Sequence, residues 1–70
     1  MTALTPEDSA KLIHEILREK TPVGEMMMLG AVKNAYDLKN GDVSGFEEGL
    51  KHGDTLGLFA VSTLGVLRKV

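Results

Sequence analysis

The chain contains no cysteine, so no disulfide can brace it and nothing marks it for an oxidising, secreted setting. A basic cluster is missing too. Eight lysines and arginines stand against ten aspartates and glutamates, a formal net charge of −2. Nucleic-acid binders carry a basic patch or stripe, whereas here Lys33 and Lys39 stand apart and Arg68-Lys69 is only a pair. The longest uncharged run, Thr55 to Leu67, has 13 residues. A membrane-spanning helix needs roughly 20. The N-terminus carries Glu7 and Asp8 where a signal peptide is basic and then apolar. These absences predict a cytoplasmic protein with no membrane partner and no call for nucleic acid.

Catalytic apparatus is equally scarce. No nucleophile has a recognisable base, and no phosphate loop or dinucleotide fingerprint occurs. One domain of 70 residues offers little wall for a substrate pocket. Neither an enzyme nor a cofactor is expected.

What is present patterns as helix. Thr5-Pro6 supplies an N-cap followed by proline at the first helical position, and Glu7 and Asp8 oppose the helix dipole. Leu12, Ile13, Ile16 and Leu17 then form two i,i+4 pairs on one face. A second Thr-Pro, Thr21-Pro22, predicts another start, and Asn40-Gly41 an exit. Between them Met26 to Val32 carry no charge, so this segment reads as a central rod covered on several sides. Ser44-Gly45-Phe46-Glu47 has a capping-box pattern for a short third helix, with breaks expected at Gly41 and Gly53. From Thr55, Leu56, Phe59, Ala60, Thr63, Leu64 and Leu67 follow a helical period, and β structure is the rival because Phe59, Val61, Thr63 and Val66 favour strands. The expectation is an all-α fold, a small compact bundle of four helices at about 5–20, 22–39, 44–52 and 55–69.

Two local patterns hint at metals. Asn40, Asp42, Ser44 and Gly45 match the first half of an EF-hand-type calcium loop, but its twelfth position is Lys51 instead of glutamate. His14-Glu15 opens like a zinc-protease helix, but Arg18 replaces the second histidine. No metal is expected. Met26-Met27-Met28 reads as core filling.

The sequence is therefore read as a small acidic protein-interaction module that binds itself or another protein. The apolar load of the second and fourth helices exceeds what so short a chain hides, which points to a symmetric dimer. Val61, Leu64 and Gly65 on the fourth helix are the expected contact. The alternative is an accessory regulator of a nucleic-acid machine, with helices three and four, joined through Gly53-Asp54, imitating a helix-turn-helix. There Arg68 and Lys69 lie at the wrong end for base contacts. An enzyme ranks third.

Overall fold

Thr5 opens the first helix as its sequence predicts. In the computed structural model, which describes residues 4–69, its side-chain oxygen accepts the Asp8 N–H at 3.1 Å and Pro6 takes the first helical position. The elements follow in the order α1 (Pro6–Lys20), β1 (Met26–Met28), α2 (Leu29–Asn40), α3 (Phe46–Leu56), β2 (Phe59–Val61) and β3 (Gly65–Arg68). The strands form one antiparallel sheet with β3 in the middle, in the order β1-β3-β2.

The fold is thus α+β, which corrects the all-α bundle in three places. The span 22–39 is helical only from Leu29. Before it the chain turns, with the Glu25 N–H donating to the Pro22 carbonyl at 3.1 Å, and then runs extended as β1. Methionine suits helices, but here the ladder offered by β3 outweighs local propensity. The third helix does not break at Gly53. It continues to Leu56 and ends at Gly57, which takes the left-handed conformation at φ 78°. The fourth helix, expected at 55–69, is absent: that stretch is a β-hairpin, in which β3 finds partners on both sides. Nearly every residue in it is apolar, so its helical period is no better marked than a strand's.

The core forms where the helices cover one face of the sheet. Ile13, Ile16 and Leu17 of α1, Val32 and Tyr36 of α2, Phe59 of β2 and Val66 of β3 are fully buried, and Phe46 of α3 nearly so. Tyr36 and Phe46 meet edge to face with ring centroids 5.2 Å apart, which joins α2 to α3. The Tyr36 hydroxyl donates to the Ser44 carbonyl at 2.6 Å and lies 3.0 Å from Oγ of buried Ser9. One side chain therefore holds α1, α2 and the turn between α2 and α3 together.

Candidate protein-interaction surface

Strand register decides which side chains face the core. Met27 pairs with Val66, and Val66 with Val61, so these point inward with Phe59. The alternate residues form the outer face: Met26 and Met28 of β1, Gly65 and Leu67 of β3, and Ala60 of β2. An antiparallel sheet with one solvated face ordinarily alternates apolar-in and polar-out. Here the outer positions are apolar as well. Met28 is 74% exposed and Met26 46%, and at the hairpin tip Leu64 is 76% exposed. None of these outer residues carries a charge.

The hairpin tip is held by one side chain. Oγ of Ser62 accepts the N–H groups of Leu64 and Gly65, each at 3.3 Å, and donates to the Gly65 carbonyl at 3.2 Å. This leaves the Leu64 side chain projecting. Beside it, Gly65 is buried: a Cβ there would collide with the Met27 carbonyl and come within 3.1 Å of Cγ of Met26. The glycine is what lets β1 and β3 close up under the methionines.

Of the contact expected from sequence, Gly65 lies on the outer face, Leu64 projects from the hairpin tip and Val61 lies on the inner face. Val61 is half-buried on the inner face, beside a groove that includes Glu47, Leu50, Lys51 and Asp54. A helix would have stacked Val61 and Gly65 on one side, whereas the two-residue period of strands separates them. Met26, Met28 and Leu67 were missed, because three consecutive methionines in a helix point three ways. In a strand they split between Met27 inside and its two neighbours outside.

Several other polar groups have partners within the chain. Oδ1 of Asp42 accepts the Ser44 N–H at 2.9 Å and the Asn40 side-chain amide at 3.2 Å, so the calcium-like loop is an Asx-type turn. Among the described residues no three histidines, aspartates or glutamates gather to hold a metal ion. His14 and His52 are each half-buried, on α1 and α3. Glu19 and Lys39 form an ion pair at 2.9 Å that ties the end of α1 to that of α2. The Lys39 hydrogen bond holds the Glu19 carboxyl below its usual range, and the same bond raises Lys39.

With the fourth helix gone, helices three and four cannot make a helix-turn-helix. The helices joined by a short turn, at 41–45, are α2 and α3. The exposed charges on α3 are Glu47, Glu48, Lys51 and Asp54, three carboxylates against one lysine. Among the described residues no helix is long and apolar enough to cross a membrane. Comparison with protein-family models, with curated proteins and with solved structures gives no significant match.

Proposed function

We propose that this chain is a non-catalytic protein-interaction module that self-associates through the outer face of its sheet. The observation that carries the reading is the uncharged outer surface formed by Met26, Met28 and Leu67, with Met28 about three-quarters exposed, together with the equally exposed Leu64 of the hairpin tip. Apolar side chains scattered singly on a surface need no explanation, but a contiguous set on one sheet face does. A symmetric dimer is the commonest way to cover such a face. The cytoplasm suits a 70-residue chain without disulfides.

A second reading follows from the element order: a helix, a strand, two helices joined by a short turn and a β-hairpin make the succession of winged helix-turn-helix domains. That likeness favours nucleic acid, but fold alone does not select a ligand. In such a domain α3 would enter the groove. Its exposed carboxylates outnumber its one lysine, and the hairpin tip, Ser62 to Leu64, has no base at all. Phosphate contacts dominate nucleic-acid affinity, so this surface repels the ligand the scaffold suggests. Protein docking is the better match.

Size-exclusion chromatography with light scattering tests the proposal on the intact chain. The wild type is expected at twice the chain mass. The Met28→Lys, Leu64→Lys double variant is expected at the mass of one chain, with an unchanged circular dichroism spectrum, because both side chains are already exposed. A double variant that stays dimeric would remove the sheet face from the contact.

A further inference from the structure

Among the described residues strand β1 is an edge strand, and two hydrogen bonds fix how it is turned. The Arg68 N–H donates to the Glu25 carbonyl at 2.9 Å, and the Leu29 N–H to the Leu64 carbonyl at 3.3 Å. Backbone groups alternate sides along a strand, so residues 25, 27 and 29 face β3. Met26 and Met28 therefore turn their N–H groups to the open edge. The Met28 carbonyl starts α2 as its N-cap, whereas the Met26 carbonyl is left without a helix partner. The strand bears no lysine or proline, two usual guards of an exposed edge.

Resting on the self-association proposed here, we infer that the second copy adds to this edge, antiparallel and centred on Met27. In that register Met28 stands opposite Met26 of the second copy, and each Met28 N–H donates to the other copy's Met26 carbonyl. The arrangement maps onto itself under a two-fold axis through Met27, and the three identical side chains of the strand pair with one another across it. Two sheets of three strands become one of six. Met26 and Met28 of the two copies then lie side by side across the seam, on the outer face of the joined sheet.

Charge supports a second copy over an unrelated strand. The same register sets Glu25 of the second copy opposite Leu29, the first residue of α2. That helix has no side-chain cap at its N-terminus and no acidic residue in its first turn. A carboxylate there complements the positive end of the dipole, and the chain itself does not supply one from within α2.

Met28→Pro tests the pairing. Met28 has φ −60° and ψ 142°, a conformation proline adopts, and its N–H bonds to nothing in β3. The substitution leaves the subunit intact and removes both intersubunit bonds. Met28→Ala is the control, because it loses the same side chain but keeps the N–H. By sedimentation equilibrium, Met28→Pro is expected to dissociate at least tenfold more readily than Met28→Ala, with both giving the wild-type circular dichroism spectrum. Independently, Met27→Cys, the only cysteine in its chain, is expected to oxidise to a covalent dimer, since residue 27 faces itself across the axis. Equal dissociation of the proline and alanine variants, or a dimeric Met27→Cys chain that does not cross-link, overturns the edge pairing and leaves the sheet-face reading standing. A monomeric wild type overturns both, and leaves the edge to an extended segment of another protein.

Discussion

The ring of Phe59 lies where a Cβ on Gly53 would stand. This contact seats the hairpin on α3, and Phe59 is fully buried, so its ring has nowhere to retreat. Gly53→Ala gains about 1 kcal/mol of helix propensity but overpacks the site, which typically costs about 1–3 kcal/mol. Net destabilisation is expected in urea unfolding. An unchanged or raised midpoint would show that the ring moves freely.

Tyr36→Phe should weaken the junction of α1, α2 and the turn. It leaves Oγ of buried Ser9 without its partner and the Ser44 carbonyl without its donor. The expected cost is about 1–3 kcal/mol. Ser9→Ala should cost less, because Tyr36 keeps its bond to Ser44. Chemical unfolding of the two variants checks the order.

The Glu19–Lys39 pair gives a pH dependence with a defined sign. Glu19 titrates below its ordinary value when folded, so its contribution is complete above the usual glutamate range and is lost as pH falls through the depressed value. Lys39 is raised, so its contribution is present below the usual lysine range and is lost as pH rises through the folded value. Both groups are solvent-exposed and screened, so the effect is small. Lys39→Gln should lower the melting temperature slightly at neutral pH, with the difference vanishing in acid. A difference that persists in strong acid would assign it to packing instead.

Calcium should produce no heat of binding at micromolar concentration. The Asp42 carboxylate already serves Ser44 and Asn40, and Lys51 lies in α3 where a calcium loop needs glutamate. A calcium-dependent rise in melting temperature would make Asn40, Asp42 and Ser44 ligands.

How much of this was legible in sequence depended on whether the cause was local. The first helix was, because Thr5, Pro6 and the spacing of Ile13, Ile16 and Leu17 act within a few residues. The exit at Gly41 was as well. Thr21-Pro22 repeats the Thr-Pro signal without starting a helix. Thr21 closes α1, and the following turn is tied to β3, with the Gly24 N–H donating to the Arg68 carbonyl at 2.9 Å. No local pattern records a partner so distant. The hairpin was hidden for two reasons: its residues are apolar at almost every position, and its turn uses the Ser62 side chain instead of an Asn-Gly or Asp-Gly pair. The expected contact depended on the same choice: a helix sets Val61, Leu64 and Gly65 on one side, whereas the hairpin puts Val61 on the inner face, Gly65 on the outer one and Leu64 at the tip.

Sedimentation equilibrium of the unmodified chain, from low micromolar concentration upward, tests the central claim most directly. The chain mass is 7.5 kDa, and a reversible dimer through the sheet face predicts a weight-average mass that climbs to twice that value and stops there. A mass that stays at one chain throughout, with the protein folded, would contradict self-association.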